Sequence, residues 1–234
     1  MPAPGVIGVI LPANNEEALL PACLEALAAS AADSPLPVEL VVVLDACTDA
    51  SADVVAEFRA RRADRLAVHV LHRRLRNVGR ARAAGAALLT ERYPDRLLWI
   101  ATTDSDSTVP VNWLSVQLAH ARDGAAAVVG TITVREWHDR SPDVGRYADA
   151  LYNAGEHRHI HGANLAFSAA AYRRAGGFAP LACHEDVNLV RAMVTAGEQV
   201  VWATDLTVTT SARRDGRTGA GFAGYLDALE QAIA

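Results

Sequence analysis

The sequence predicts an α/β fold: a single domain in which a mostly parallel central sheet is flanked by helices. Short runs rich in Val, Ile and Leu alternate four times with helical segments in about the first hundred residues, a pattern typical of right-handed βαβ units. The length of 234 residues suits one large domain with a single core. We expect a first half at residues 1–109, a second half at residues 110–210 and a C-terminal tail at residues 211–234.

The first half contains four predicted strands joined by three predicted helices. The strands are apolar runs of the length expected for buried strands, at residues 6–11, 38–44, 66–71 and 97–101. The helices lie at residues 16–30, 52–63 and 80–93. In such sheets the carboxyl ends of the strands meet at one edge, and ligands bind beyond that edge. Polar residues that follow these strands are therefore the candidates for function.

The second half has a less regular pattern. Strands are predicted at residues 126–134, 163–167 and 200–203, and helices at residues 112–122, 169–175 and 186–196. Pro110 favours a helix start before the first of these helices, because proline presets φ. Residues 135–160 are polar and weakly periodic, so we expect a helix-containing excursion that shapes a pocket. A short amphipathic stretch follows in the tail.

Composition and charge exclude several classes of protein. The net charge of −5 and the pI near 5.9 argue against nucleic-acid binding, which needs a basic surface. No apolar run approaches the ~18 residues of a membrane span. The N-terminus lacks a basic start followed by an apolar segment, so we expect a cytoplasmic protein. Three widely spaced cysteines, without a C-x-x-C pair, indicate neither a disulfide framework nor a zinc site.

All 22 basic residues are arginine. The absence of lysine excludes Schiff-base chemistry and the lysine of a Walker motif. Any phosphate group must therefore be bound by arginine side chains or by backbone N–H groups.

Asp104-Ser105-Asp106 follows the fourth predicted strand and is the most informative motif of the chain. Residues i and i+2 of an extended backbone share a face, so the two carboxylates converge beyond the end of the strand. Mg²⁺ or Mn²⁺ takes such oxygen ligands, and usually binds one or two carboxylates together with substrate phosphates. The motif predicts a metal site for a diphosphate-bearing partner. The alternative is an acidic turn that only ends the strand.

The first strand also ends in polar residues. Pro12, Asn14 and Glu16 lie where the chain turns from this strand into the first helix. The free N–H groups of a helix N-terminus bind anions, which favours a nucleotide site here. Simple helix capping is the alternative.

The second and third strands end in further candidates for nucleotide binding. Asp45 emerges from a fully apolar strand, so its carboxylate needs a partner such as a nucleobase N–H or a ribose hydroxyl. An Asp turn is the alternative. Asn77 and Arg80 belong to a loop around Gly79, and the two arginines there, Arg80 and Arg82, could reach phosphate oxygens. Solvent-exposed arginines are the alternative there.

Glu185-Asp186 opens a predicted helix of the second half. Acidic groups near a helix N-terminus are favoured by the helix dipole, so capping explains one carboxylate and leaves the other available. A carboxylate within reach of an acceptor hydroxyl acts as a general base. Asp186 is our first choice for this role and Glu185 the second.

Histidines alternate at positions 157, 159 and 161, which places them on one face of an extended segment. We favour contact with substrate or water over metal ligation, because histidines in polar loops more often have that role. The candidates for contact with a sugar or an acceptor are His161, Gly162, Asn164 and His184.

Taken in order, these motifs resemble the spaced signatures of family 2 glycosyltransferases, which have the GT-A (Rossmann-like) fold. The matching segments lie at residues 11–17, 43–49, 77–79, 104–106, 176–178 and 185–186. Each segment is weak alone, but the ordered set is specific. One departure is that many members carry an Asp pair where this chain has Leu44-Asp45.

The resemblance implies a nucleotide-diphospho-sugar donor, such as a UDP- or GDP-sugar, and an unidentified hydroxyl acceptor. It makes the first half the nucleotide-binding half and the second half the acceptor-binding half. Pro12, Glu16 and Asp45 would then line the nucleotide.

The same resemblance assigns Asp104 and Asp106 to the ribose and the metal, Mg²⁺ or Mn²⁺, and makes Asp186 the base. The chain lacks the Gln-x-x-Arg-Trp motif and the membrane helices of processive synthases. We therefore expect transfer of one sugar at a time, with inversion as in most members. The tail residues placed to close over a diphosphate are Arg213, Arg214 and Arg217.

Two other functions compete with this interpretation. Asp104-Ser105-Asp106-Ser107-Thr108-Val109 also fits the nucleophile loop of haloacid-dehalogenase-type phosphohydrolases, although that class places the motif on its first strand and uses a lysine. A non-catalytic nucleotide-sugar binder would keep the acidic site without a reacting acceptor.

Overall fold

A computed structural model of the protein describes residues 4–62, 66–134, 137, 140–141, 143–147, 157–213 and 222–233. Its strands are β1 (Val6–Ala13), β2 (Val38–Asp45), β3 (Ala67–Arg73), β4 (Leu97–Thr102), β5 (Ala127–Val134), β6 (Leu165–Ser168) and β7 (Val200–Thr210). Its helices are α1 (Leu20–Asp33), α2 (Ser51–Arg62), α3 (Val78–Arg92), α4 (Trp113–Arg122), α5 (Ala169–Arg174), α6 (Glu185–Thr195) and α7 (Phe222–Ile233). A short 3₁₀ turn, η1 (Gly162–Asn164), precedes β6.

The strands form one seven-stranded sheet in the order β3-β2-β1-β4-β6-β5-β7. β1 pairs in parallel with β2 and β4, β2 with β3, and β5 with β7. Only β6 runs antiparallel to its neighbours, β4 and β5. The predicted α/β fold with a mostly parallel central sheet is therefore confirmed.

Apolar residues fill both faces of the sheet, as the helices on each side require. Leu11, Leu24 and Trp113 belong to the core on one face, and Ile10 and Phe167 belong to the core on the other face. Every residue of β1 is buried, which explains why this strand is a continuous apolar run rather than an alternating one.

Two predicted boundaries lie four residues or more from those of the structure, and several others differ by one to three residues. The first helix begins at Leu20 and not at residue 16, because residues 16–19 form a turn in which the Glu16 carbonyl accepts from the N–H groups of Leu19 and Leu20. Pro21 then occupies the first turn of the helix, where its missing N–H costs nothing.

The last strand, predicted to end at residue 203, continues to Thr210. Its second part pairs with residues 131–134 after a break in register at Gly130. The polar composition of this part concealed a strand whose side chains alternate between buried and exposed positions.

Among the described residues, no helix combines the length and the apolar character needed to cross a membrane. Most of the excursion expected at residues 135–160 lies outside the described residues.

Candidate active site

An arginine, a buried carboxylate and a partly exposed carboxylate form a group at the carboxyl end of β4. The Arg82 guanidinium donates through Nη2 to Asp104 Oδ1 at 2.5 Å and through Nη1 to Glu185 Oε1. Its Nε donates to Thr102 Oγ1 at 3.0 Å. Only 3% of the Arg82 side chain is exposed. We call Arg82, Asp104 and Glu185 the inner cluster.

The fold creates a narrow space for this guanidinium. Arg82 lies on the face of α3 that is buried against the sheet, together with Gly85, Ala86 and Leu89. Gly162 closes the other side, and a Cβ atom at that position would come within 2.3–2.5 Å of the guanidinium atoms. Thr102 Oγ1 donates to the Gly162 carbonyl at 3.2 Å. The backbone of η1 therefore packs directly on Arg82.

A second arginine lies between two other carboxylates of the same edge. Arg213 donates to both carboxylate oxygens of Glu16, at 2.7 Å and 2.6 Å, and its Nη2 lies 3.1 Å from Asp106 Oδ2. Glu16 is almost fully buried, whereas 23% of the Arg213 side chain is exposed. We call Arg213, Glu16 and Asp106 the outer cluster.

The outer cluster is connected to the C-terminal helix through a third, buried arginine. Arg140 donates to the Ala212 carbonyl at 2.7 Å and to the Arg213 carbonyl at 3.2 Å. The same side chain donates to Asp227 of α7 at 2.7 Å. Arg140 thereby links helix α7 to the segment after β7 that carries Arg213. Arg214 and Arg217, also predicted to face a diphosphate, lie outside the described residues.

The carboxylates of the Asp-Ser-Asp motif repel each other and are partly buried. Burial, followed by repulsion from Asp104, raises the pKa of Asp106 to about 6. Burial also raises the pKa of Asp104; Arg82 opposes this rise, and the Asp186 carboxylate adds to it. The site therefore holds more negative charge than its two arginines neutralise, and an added cation would be attracted to it.

This charge pattern fits Mg²⁺ or Mn²⁺. Among the described residues, no group of three or more His, Cys, Asp and Glu side chains is arranged to hold a metal ion. Asp104 and Asp106 provide two carboxylates, which suffices for a cation that completes its coordination with water and substrate phosphates. The site thus suits a metal that binds together with a diphosphate better than a metal held by protein alone.

Asp45 closes the loop after β3. Its Oδ1 accepts from the N–H groups of Leu75 and Arg76 at 2.5 Å and 3.0 Å, and its Oδ2 accepts from Asn77 at 3.1 Å. The partner that a carboxylate on an apolar strand requires is therefore backbone of this protein. Asn14 Nδ2 donates to the Asp45 carbonyl at 2.6 Å, which joins the ends of β1 and β2. The nucleobase contact of Asp45 stays a prediction.

The Asn77 side chain caps α3 by accepting from the N–H of Arg80 at 2.8 Å. It also donates to the Pro180 carbonyl at 3.2 Å. Gly79 lies so close to the same segment that a Cβ atom would be 2.3 Å from the Ala179 carbonyl oxygen. The start of α3 is therefore packed on the segment that leads into α6, and Arg80 is exposed.

Asp186 lies in the first turn of α6, next to Glu185 of the inner cluster. Its side chain is partly exposed, and its Oδ1 accepts from the N–H of Val187 at 2.8 Å. Asp186 is near enough to Asp104 to contribute to the raised pKa of that carboxyl. The structure thus brings the predicted base and the predicted metal ligand to one site, while Glu185 is engaged by Arg82.

The four candidates for contact with a sugar or an acceptor have different surroundings. Asn164 is 1% exposed, accepts from Trp113 Nε1 and donates to the carbonyls of Thr131 and Leu206. It fills the break in register between β5 and β7, and it has no polar surface left for a sugar. Gly162 has the close contact with Arg82 described above, and His184 is exposed at the start of α6.

Burial, together with the neighbouring His159 and His157, lowers the pKa of His161 to about 3. The His161 and His159 rings stack with their centroids 6.3 Å apart. His161 is therefore a neutral ring near neutral pH, which suits hydrogen bonding rather than charge pairing.

Left-handed backbone marks the loops of this edge. The non-glycine residues with positive φ in the described part of the chain are Asn15 (54°), Ala46 (56°), Arg76 (49°) and His184 (62°). They follow β1, β2 and β3 and precede α6. Such conformations are costly for residues with a Cβ atom and cluster at functional sites.

Arg82 was expected either to reach a phosphate together with Arg80 or to be solvent-exposed, and both interpretations were wrong, because the structure buries it against Glu185 and Asp104. The sequence nevertheless contains a signal for its burial. Positions 82, 85, 86 and 89 form one stripe of the predicted helix, and only the first of them is charged. A charged residue on a buried stripe requires a buried partner of opposite charge. Arg140 carries no comparable signal, because the segment around it is weakly periodic.

Comparisons with known proteins agree with this architecture. Residues 1–349 of TarS from S. aureus, in complex with UDP-GlcNAc, superpose with a TM-score of 0.67 at 15% identity, covering 92% of this chain and 61% of that chain. The mannosyltransferase PcManGT from Pyrobaculum calidifontis, in complex with GDP-Man and Mn²⁺, gives a TM-score of 0.69 at 20% identity, with 92% and 59% coverage. Glucosyl-3-phosphoglycerate synthase from M. tuberculosis gives 0.56 at 16% identity, with 97% and 77% coverage.

This chain thus spans about three fifths of the length of the first two structures. No curated protein sequence matches it. The family model described as "Glycosyl transferase family 2" matches residues 8–175, from β1 to the end of α5. Since the match covers well over half of the chain, including both aspartates of the Asp-Ser-Asp motif, the chain belongs to glycosyl transferase family 2.

Proposed function

We propose that this protein transfers a single sugar from a nucleotide-diphospho-sugar, a UDP- or GDP-sugar, to an acceptor hydroxyl, with inversion at the anomeric carbon. The observation that carries the proposal is the meeting of Asp104, Asp106 and Asp186 at one edge of the sheet. The neighbouring structures were solved with UDP-GlcNAc and with GDP-Man and Mn²⁺, which supports this class of donor.

The donor is held at the carboxyl ends of β1, β2 and β4. Glu16, Asn14, Pro12 and Asp45 surround the nucleotide, and Asp104 contacts the ribose. Asp106 and Asp104 hold Mg²⁺ or Mn²⁺, which when bound stabilises the negative charge of the departing nucleoside diphosphate. Arg213 releases Asp106 and pairs with a diphosphate oxygen, because its partly exposed guanidinium already lies at this position.

Asp186 acts as the general base. It accepts the proton of the acceptor hydroxyl while the hydroxyl oxygen attacks the anomeric carbon. The bond between that carbon and the phosphate oxygen breaks, and its electron pair leaves with the diphosphate. Base catalysis of this kind contributes typically ~10²–10⁴-fold in rate.

The test is a screen of UDP- and GDP-sugars for sugar release in the presence of Mn²⁺, followed by variants. Asp186→Asn is expected to lower kcat at least about 100-fold while UDP or GDP with Mn²⁺ binds as before by calorimetry. Asp106→Asn is expected to lose Mn²⁺-dependent nucleotide binding. Asp95→Asn changes an exposed carboxylate outside the site and is the matched control, with no expected loss of either property.

A protein that binds the nucleotide without releasing sugar from any donor would be the non-catalytic binder, and this result would contradict the proposal. The phosphohydrolase alternative is set aside, because the chain belongs to another family and its Asp-Ser-Asp motif follows β4 rather than the first strand.

A further inference from the structure

The inner cluster joins the two halves of the domain through one side chain. Arg82 comes from α3 of the first half, and Asp104 follows β4 of the same half. Glu185 is the first residue of α6 in the second half. A single planar guanidinium therefore contacts the end of the predicted diphosphate site and the start of the helix that bears the predicted base.

Contacts on every side fix this guanidinium. Nη1, Nη2 and Nε each have an oxygen partner, on Glu185, Asp104 and Thr102 respectively. The Gly162 backbone covers the remaining face so closely that no larger residue fits. A side chain in this position has little freedom to change rotamer, so the two carboxylates it bridges are held at a constant separation.

Stability alone does not account for this arrangement. Replacing a buried ion pair by apolar residues of similar volume is often neutral or stabilising, because the desolvation of the charges is no longer required. The buried pair of Arg82 and Glu185 contacts Asp104 and immediately precedes Asp186 in the chain. Positioning of these two predicted site residues therefore explains the pair better than stability does.

We infer that Arg82 is a positioning residue, which holds the first turn of α6, and with it Asp186, at a fixed distance from Asp104. Arg82 binds Glu185, and Asp186 is the next residue in the chain. His184, just before Glu185, has a left-handed backbone conformation at the start of the helix. The inference rests on the proposed function, since it concerns the distance between the base and the departing diphosphate. Misplacement of reacting groups by about 1 Å can cost on the order of 100-fold in rate.

The test is the double variant Arg82→Met, Glu185→Met, which removes one positive and one negative charge and keeps the buried volume. It is expected to lower kcat for sugar release at least about 100-fold. The KM for the donor, and the Kd for UDP or GDP with Mn²⁺, are not expected to rise, because removal of the guanidinium beside Asp104 leaves that carboxylate available to the metal. A loss confined to kcat separates positioning of the base from binding of the donor.

Three further variants make the test specific. Arg174→Met, Glu198→Met removes an Arg–Glu pair on the surface of the same half and is expected to leave kcat unchanged. Glu185→Gln keeps an oxygen that accepts from Arg82 and is expected to retain a larger part of kcat than the double variant. If the double variant does not fold, Glu185→Met, which leaves Arg82 paired with Asp104, is expected to give the same selective loss of kcat.

A double variant with kcat near that of the unaltered protein would overturn the role of Arg82 and leave the proposed function intact. A parallel rise in KM and Kd would also overturn it, because Arg82 would then be a donor-binding residue. Failure of the unaltered protein to release sugar from every UDP- and GDP-sugar would overturn the proposed function and this role together.

Discussion

The inner and outer clusters use the same chemistry in different surroundings. In each, one arginine bridges two carboxylates at the same edge of the sheet. The Arg82 side chain belongs to helix α3 and is 3% exposed. The Arg213 side chain follows the last strand, β7, and is 23% exposed.

This difference separates a permanent contact from an exchangeable one. Arg82 cannot leave its partners without leaving the Glu185 carboxylate, which is 3% exposed, buried and unpaired, and this is strongly unfavourable. Arg213 can exchange its 3.1 Å contact with the partly exposed Asp106 for a phosphate at a much smaller cost, while it keeps its two hydrogen bonds to the buried Glu16. We therefore expect the inner cluster to maintain the geometry of the site and the outer cluster to respond to its ligands.

The largest expected difference between the clusters is in stability. Arg82→Met leaves Glu185 and Asp104 without their shared partner and is expected to lower the free energy of unfolding by about 3–5 kcal/mol. Arg213→Met is expected to cost less, about 2 kcal/mol, because the Arg213 side chain that it replaces is itself partly exposed to water. Urea unfolding of both variants at one pH measures the two values. Equal losses would contradict the distinction between the clusters.

The sequence predicted the frame in which these clusters lie. Continuous apolar runs located the first four strands, and their polar ends identified Glu16, Asp45, Asp104 and Asp106 as residues of one edge, because parallel strands end on the same side. The motif Glu185-Asp186 was placed at a helix start for the same kind of local reason.

Local sequence patterns could not predict which arginine pairs with which carboxylate in the two clusters. Arg82 and Glu185 are 103 positions apart, and Arg213 and Glu16 are 197 positions apart. They meet only because β6 inserts antiparallel between β4 and β5, and because β7 runs on to Thr210. Asn164 was misleading for a similar reason: its amide fills a break in register that no motif reveals.

A second way to distinguish the clusters is to measure how the free energy of unfolding depends on pH, because Asp106 of the outer cluster has a raised pKa. The folded protein raises the pKa of Asp106 from 3.8 to about 6, so between these values the folded state binds a proton that the unfolded chain has released. The free energy of unfolding therefore falls as the pH rises through this window and levels off above it. The effect is on the order of 3 kcal/mol.

Asp106→Asn removes this titration. Relative to the unaltered protein, the variant is expected to gain about 2–3 kcal/mol in the free energy of unfolding between about pH 4 and pH 7. Asp95→Asn, at an exposed position, is expected to follow the unaltered protein throughout. Parallel curves for Asp106→Asn and the unaltered protein would show that Asp106 titrates normally in the folded state.

The smallest expected effect concerns competition for Asp106. The Arg213 guanidinium, 3.1 Å from Asp106 Oδ2, lies where a divalent cation on that carboxylate would meet its positive charge. Arg213→Gln is therefore expected to increase the affinity for Mn²⁺ in the absence of nucleotide by about tenfold, or about 1.4 kcal/mol. The electron paramagnetic resonance signal of free Mn²⁺, recorded during titration of the protein, measures this affinity without any enzymatic activity.

Arg174→Gln supplies the matched control, since Arg174 is an exposed arginine that pairs with Glu198 rather than with the site. Its affinity for Mn²⁺ is expected to equal that of the unaltered protein. With UDP or GDP present, the order should reverse for Arg213→Gln, because a phosphate group then satisfies the metal and the variant lacks the guanidinium that pairs with the remaining phosphate oxygens. Weaker Mn²⁺ binding by Arg213→Gln under both conditions would mean that Arg213 supports the acidic site instead of competing for it, and the outer cluster would then be as permanent as the inner one.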